Sequence, residues 1–418
     1  YTLSLHDALP ILVSAALHHD ERPLDFVCLV ELDAEAPQRE NLARGAASAR
    51  RAFSTSGCLV VGDQWHWQEG TSELTEAHEV KGDAGAWAAA ETLAAQPFSP
   101  RETLPVRQQW LTDSGSGRRW LATRLHHAMA DGLSTIMWLH HQLQVAAGLC
   151  DPCDDPQEVE APRLKQHDAA VGRNRFAFSG AAGRLWSPHR RYSGARRLSV
   201  KGWDAQALES AVAGSGVRVN DLLGSSVLEA ARRFNRSHGA GADDLGLWLP
   251  VNIREQPYTG FGNGSSRVRV YGRWPEEASA ISRCRAFREQ VGWAREHGEW
   301  HVDTGSALLG FPRWLRDATL RAWLKRPWVD MGSLPFSHME RLGAGDPDQA
   351  LPGVVSLGFL GLLHERFPVA TVAATLRGTT WLSLTWDPAL WGEAEISEFR
   401  DLLEATVVET REALSCAG

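Results

Sequence analysis

Lysine is nearly missing from this chain: Lys81, Lys165, Lys201 and Lys325 are the only ones, and arginine supplies the rest of the positive charge. With abundant alanine and glycine, that bias reads as a GC-rich bacterial genome rather than as chemistry. No apolar run reaches the roughly 20 residues a membrane-spanning helix needs, and no basic segment precedes the apolar Leu9–Leu17. A cytoplasmic protein is expected, with any lipid contact peripheral. Cysteines stand at 28, 58, 150, 153, 284 and 416. The one close pair, Cys150-Asp-Pro-Cys153, lacks a second pair or nearby histidine ligands, so neither a disulfide scaffold nor a metal site is expected. There is no nucleotide-binding glycine motif and no internal repeat. A formal net charge of -8 gives no general attraction for nucleic acid. An initiating methionine is absent too: Tyr1-Thr-Leu-Ser-Leu-His-Asp-Ala-Leu-Pro-Ile11 reads as a translated sequencing adapter. Residues 1–11 are therefore expected to be a non-native scar, with the natural N-terminus lost.

What is present is an ordinary globular composition, 43% hydrophobic and 22% charged. A length of 418 residues exceeds what one hydrophobic core usually supports, so two lobes, or one unusually large domain, are expected. Eighteen scattered tryptophans suit core and lobe-packing positions. Residues 25–32 alternate as a strand, Glu40–Phe53 reads as a helix, and Cys58–Val61 with Trp65–Trp67 reads as a hairpin. Strands at Val106–Leu111 and Arg119–Leu125 follow, then a helix over Gly132–Ala147. The acidic, proline-containing Cys150–Pro162 and the arginine-rich Arg163–Ser199 mark a composition shift. The expected organisation is an N-terminal lobe at 12–162, a basic crossover linker at 163–197 and a C-terminal lobe at 198–418.

Beyond the linker, strands are expected at 198–200, 245–251, 265–271, 354–360, 369–376 and 380–386. Helices are expected at 204–213, 220–235, 276–296, 312–325 and 393–414. Strands and helices mix without strict alternation, which favours mixed-sheet α/β sandwich lobes over a Rossmann fold or a TIM barrel. Pro312–Trp328 mixes tryptophan and leucine with arginine, as either a helix on a lipid surface or a core-facing helix with a charged outer side.

The strand at 119–125 delivers His126-His127-Ala128-Met129-Ala130-Asp131-Gly132. Neighbouring strand residues face opposite ways, so only one of the two histidines can look into a cleft. A neutral imidazole suits proton abstraction near neutral pH, and its other ring nitrogen needs a partner to fix the tautomer. Asp131 can arrange the loop through a buried arginine or as the N-cap of the following helix, and Gly132 allows a tight turn.

His-His-x-x-x-Asp-Gly between an apolar strand and an amphipathic helix resembles the superfamily of chloramphenicol acetyltransferase, peptide-synthetase condensation domains and the wax ester synthase/diacylglycerol acyltransferases. Val219-Asn220-Asp221 at a helix start, Leu249-Pro-Val-Asn-Ile-Arg254 and Phe261-Gly-Asn-Gly264 resemble the wax ester synthase branch in order and spacing. The resemblance implies two chloramphenicol acetyltransferase-like lobes with an active-site channel between them. It also implies catalysis by His127, with His126, Asp131 and Gly132 as motif support. Leu104-Pro-Val-Arg107 and Met331-Gly-Ser-Leu-Pro-Phe-Ser-His338 depart from that branch's Pro-Leu-Trp and Ser-Asn-Val-Pro-Gly-Pro elements, and leave the acceptor open.

The expected activity is acyl transfer from a thioester, with acyl-CoA as co-substrate and no bound cofactor, to an alcohol or amine that is a small molecule or a lipid. Two alternatives stand beside it: a condensation-type enzyme fed by a carrier protein, and a non-catalytic descendant that binds a ligand in the old channel. Asn220 and Asp221 have a plain reading as helix caps. Arg254 is expected either to be the buried partner of Asp131, the favoured reading because an unpaired buried carboxylate is costly, or to be a surface residue at a strand end. The arginines of 163–197 are expected either to attract coenzyme A phosphates or to be a solvated linker.

Overall fold

The computed structural model describes residues 2–3, 25–61, 64–69, 74–127, 129–158, 162–165, 175–176, 183–189, 191–255, 260–300, 315, 332–339, 351–363 and 367–416. The helix expected at 312–325 lies outside these residues, apart from position 315.

Two mixed sheets carry the fold. The first contains β1 (Asp25–Leu32), β4 (Leu74–Val80), β5 (Val106–Asp113), β6 (Arg119–His126) and β11 (Val354–Leu360), in the order β11-β1-β6-β5-β4. Only the β4–β5 pair is parallel. The second contains β7 (Arg197–Asp204), β8 (Gly246–Asn252), β9 (Ser265–Tyr271), β10 (Leu334–Met339), β12 (Val369–Leu376) and β13 (Thr379–Trp386), in the order β9-β8-β10-β12-β13-β7. Here β10 runs parallel to both β8 and β12. A small hairpin of β2 (Cys58–Val61) and β3 (Gln64–Trp67) is edged by Thr2–Leu3.

Central strands are apolar on both faces because both faces are covered: β1, Asp-Phe-Val-Cys-Leu-Val-Glu-Leu, is buried at every residue but Glu31. One face of the first sheet carries α1 (Arg39–Ala52) and α3 (Gly132–Ala146) around Leu42, Leu121, Trp138 and Leu139. These helices approach so closely that a Cβ on Gly45 would stand 2.2 Å from the Gln142 carbonyl oxygen. The opposite face packs α2 (Gly82–Ala95) through Ala86, Ala90 and Leu93. Over the second sheet, α5 (Val219–Ser237), α6 (Ala280–Glu296) and α7 (Glu393–Ser415) enclose Phe234, Phe287, Trp391 and Phe399, with α4 (Ala205–Val212) beside them.

The lobes share one strand and part of a core. Although nine strands lie between β1 and β11 along the chain, the two pair antiparallel. From there Phe359 N–H donates to Ser383 Oγ (3.0 Å) and Gly361 N–H to Thr385 Oγ1 (2.8 Å), both on β13. Phe261, Ala374 and Leu376 of the second half join the first lobe's apolar cluster.

Three elements were not foreseen: β4, α2 and β10. Helix α2 is largely alanine and shows no apolar stripe. Strand β10 contains Pro335, which ordinarily argues against a central strand. Pro335 sits where β10 stops pairing with β8, at Pro335 opposite Trp248, and begins pairing with β12, at Phe336 opposite Thr371.

Candidate active site

Strand alternation separates the two histidines as expected. His126 ends β6 opposite Asp25, is fully buried, and packs near Phe98 (ring centroids 5.7 Å apart). His127 leaves the strand half-buried, edge-on to Phe26 at 5.7 Å. The chain then turns, Met129 N–H donating to the His126 carbonyl at 3.0 Å. Glycine is not required at position 132 for this turn: its φ is not positive, and a Cβ there would meet only Met339 Sδ at 3.7 Å, an ordinary contact.

Asp131 fills both roles considered for it. Its Oδ1 accepts from Ser134 N–H at 3.0 Å, capping α3. The same carboxylate meets Arg254 through two bonds, Nη1 to Oδ2 at 2.8 Å and Nη2 to Oδ1 at 3.0 Å, with both side chains almost fully buried. Gly264 N–H adds a third donor at 2.9 Å. Arg254 Nη2 also reaches Ser134 Oγ (2.9 Å) and the Gly262 carbonyl (2.8 Å). This knot joins the helix start of one lobe to the β8–β9 connection of the other.

From that connection comes a residue the sequence analysis did not assign, Asn263. Its Nδ2 donates to the His127 carbonyl at 2.7 Å, and its Oδ1 stands 3.1 Å from His127 Nδ1. The signal was present in two pieces: the Gly-Asn element at 261–264, and the need of an imidazole for a partner that fixes its tautomer. No residue spacing links positions 127 and 263.

Asn220 and Asp221 open α5. Asp221 Oδ2 accepts from Arg218 N–H (2.9 Å) and from Arg288 (3.4 Å), while burial pushes its carboxyl above the usual range. Among the described residues no hydrogen bond joins either to His127 or Asn263, so the capping reading holds for Asp221.

The linker arginines that fall among the described residues include three already engaged. Arg196 donates to both oxygens of Asp25, at 3.1 and 3.0 Å, and to its carbonyl at 2.7 Å. Arg197 pairs with Glu91 (2.6 Å) and Arg175 with Glu289 (2.7 Å). Arg173 and Arg190 lie outside the described residues. A second guanidinium, Arg124, also donates to Asp25, making a buried Arg124–Asp25–Arg196 cluster behind His126.

His338 on β10 is distinctive in another way: among the described residues neither ring nitrogen has a partner, and burial pulls its pKa down to about 4. Its strand neighbour Met339 reaches Gly132 of the motif. Among the described residues no helix is long and apolar enough to cross a membrane.

No family model matches the chain, and no curated protein matches it. Solved structures do. Wax ester synthase/diacylglycerol acyltransferase from Marinobacter aquaeolei VT8 matches with a TM-score of 0.58 at 12% identity, covering 99% of this chain and 100% of that one. The starter condensation domain of rhizomide synthetase RzmA, solved with C8-CoA and Leu-SNAC, matches at 0.66 and 13% identity over 98% and 94% of the two chains. TRI3 trichothecene 15-O-acetyltransferase from Fusarium sporotrichioides matches at 0.60 and 12%, over 96% and 94%. The chain therefore has the two-lobed α/β fold that wax ester synthase, condensation domains and trichothecene acetyltransferase share.

Proposed function

We propose that this protein is an acyltransferase in which His127 is the general base, moving an acyl group from a thioester to a hydroxyl or amine. The observation that carries the reading is the His127–Asn263 pair: one ring nitrogen faces an amide oxygen at 3.1 Å, so the other is left to take a proton. The fold supports it, since two of the matched structures are a wax ester synthase/diacylglycerol acyltransferase and a trichothecene 15-O-acetyltransferase.

In this reading Nε2 of His127 accepts the acceptor's proton as its oxygen or nitrogen bonds to the thioester carbonyl carbon. The tetrahedral intermediate collapses with cleavage of the carbon–sulfur bond, and the imidazolium returns its proton to the leaving thiolate. The products are an ester or amide and a free thiol. No acyl-enzyme forms. The donor we assign is acyl-CoA, on the strength of Asn220-Asp221 and Pro250-Val-Asn-Ile-Arg254. A carrier-bound acyl donor is the second reading. It is favoured by Arg196 and Arg197 being already engaged with Asp25 and Glu91, and by the higher TM-score of the condensation domain.

A thiol-release assay across acyl-CoA donors, with alcohols, diacylglycerol and amines as acceptors, tests the reading beside His127→Ala. Wild type should release thiol, and the variant should lose roughly 10²- to 10⁴-fold, the usual contribution of a positioned base. Equal turnover in both would remove His127 from the mechanism. Turnover only with a loaded carrier protein would select the second donor.

A further inference from the structure

We infer that Asn263 is the positioning residue for the base, fixing the Nδ1–H tautomer of His127, and that the Asp131–Arg254 pair acts on the base through it. The inference rests on the reading of His127 as the base. It begins with a bond whose direction is not open to choice. The His127 carbonyl can only accept, so the Asn263 atom 2.7 Å from it must be the amide nitrogen. The other end of that amide is then the oxygen, which also can only accept. It stands 3.1 Å from His127 Nδ1, so Nδ1 must carry hydrogen. A neutral imidazole has one N–H, and Nε2 is left with its lone pair.

An amide suits this task differently from a carboxylate. When Nε2 takes a proton, Nδ1–H still donates to Oδ1, so the contact survives turnover. Being neutral, it does not hold the imidazolium as tightly as a carboxylate would, and the proton remains available to the leaving thiolate.

Asn263 owes its place to its neighbours. Gly262 N–H donates to Ser134 Oγ (3.0 Å), and the Gly262 carbonyl accepts from Ser134 Oγ and Arg254 Nη2, both at 2.8 Å. Gly264 N–H donates to Asp131 Oδ2 at 2.9 Å. Both flanks of the asparagine are thus tied to the motif aspartate and its arginine. Gly262 has a φ of 143°, open to glycine, and a Cβ on Gly264 would stand 2.5 Å from Arg254 Cγ. Because 262–264 belong to the second lobe's connection and His127 to the first lobe's strand, the tautomer is set only while the lobes are joined. The charged groups on this side, Asp131 and Arg254, are paired with each other; Asp25, with Arg124 and Arg196, lies on the His126 side.

The test has two arms. The first needs no substrate: ¹⁵N NMR of histidine-labelled full chain, with the His127 signals assigned by their loss in His127→Ala, reads which ring nitrogen carries hydrogen. Wild type should show Nδ1–H, and Asn263→Ala should lose that preference while the thermal unfolding midpoint stays close to wild type. An Nε2–H tautomer in the wild type overturns the inference, whatever the protein turns out to catalyse. The second arm is the pH–rate profile of thiol release. Asn263→Ala should lower kcat by at least about tenfold with KM nearly unchanged, within the range a base can contribute. Asn263→Asp should move the acid limb upward by a unit or more, because a carboxylate 3 Å from Nδ1 favours the imidazolium. Equal losses in both variants with no movement of the profile would reduce Asn263 to a packing residue.

Discussion

Two buried carboxylates flank the end of β6, and each is gripped by arginine, yet they are built differently. Asp131 faces one guanidinium, Arg254, and its oxygens take two further backbone donors, from Ser134 and Gly264. Charge is balanced one to one. Asp25 faces two, Arg124 and Arg196; Arg124 Nη1 also donates to the carbonyls of Leu93 and Gln96, and Arg196 Nη2 to that of Ala94. That cluster carries net positive charge, and Arg124 Nη2 has no partner among the described residues. The Arg124 guanidinium also lies over Phe98, 4.4 Å from its ring centroid, which spreads the excess charge onto a π face. One cluster organises the turn that follows His127; the other clasps the linker to the start of β1 and the end of α2.

The largest expected effect comes from breaking the unbalanced cluster. Asp25→Ala would leave two buried guanidiniums with no counter-charge, exceeding the roughly 3–5 kcal/mol of a single broken buried pair. We expect the variant to be largely unfolded at 25 °C by circular dichroism. Asp131→Ala should cost about 3–5 kcal/mol in denaturant unfolding and should also lower thiol release, since the cap and the Asn263 flanks go together. Adding Arg254→Met to Asp131→Ala should recover part of the stability, because no charge is then left unpaired. A double variant as unstable as the sum of the singles would refute the pairing as the source of the cost.

How legible each cluster was follows from what the sequence encodes. Asp131 stands inside a local motif directly before an amphipathic helix, so its cap and its need of an arginine could be argued from neighbours. Asp25 is one acidic residue at a strand start. Its partners lie 99 and 171 positions away: β1–β6 pairing brings Arg124 to it, while Arg196 comes from just before β7 of the other sheet. Strands such as 265–271, 354–360 and 369–376 were readable to the residue because both period and boundaries are local. Helix α2, with alanine on every side, and β10, interrupted by Pro335, owe their existence to tertiary packing, which local pattern does not carry. Asn263 was half legible: its motif was visible, its contact was not.

His338 is a buried polar group whose ring nitrogens have no partner among the described residues. Its unfolded pKa is about 6.5 and burial brings the folded value down to about 4. Between these values the unfolded chain binds more protons than the folded one, so stability rises with pH and is lost as pH falls through 6.5 toward 4. His338→Leu should therefore be neutral or mildly stabilising at pH 7 and should flatten the fall in unfolding free energy across that window. An unchanged pH dependence would show that the imidazole finds a partner in solution.

Crowding the balanced knot should cost less than breaking it. Gly264→Ala places a Cβ against Arg254 Cγ and Cζ at 2.5 Å, and the guanidinium cannot swing away without releasing Asp131. A cost of about 1–3 kcal/mol is expected, as for other overpacked sites, with thiol release falling in parallel.

The smallest effect isolates burial as the variable. Arg196 and Arg197 are adjacent, and each donates to a carboxylate at about the same distance, 3.0 Å to Asp25 and 2.6 Å to Glu91. Arg197 is 52% exposed and Arg196 only 4%. Water and salt screen the first pair and not the second. Arg197→Ala should change unfolding free energy by less than about 1 kcal/mol, and by less again in 1 M salt. Arg196→Ala, which removes one of the two buried partners of Asp25 and three backbone-directed bonds, should cost several times more and be insensitive to salt. Equal costs for the two neighbours would mean that charge, not burial, decides what a linker arginine contributes to this fold.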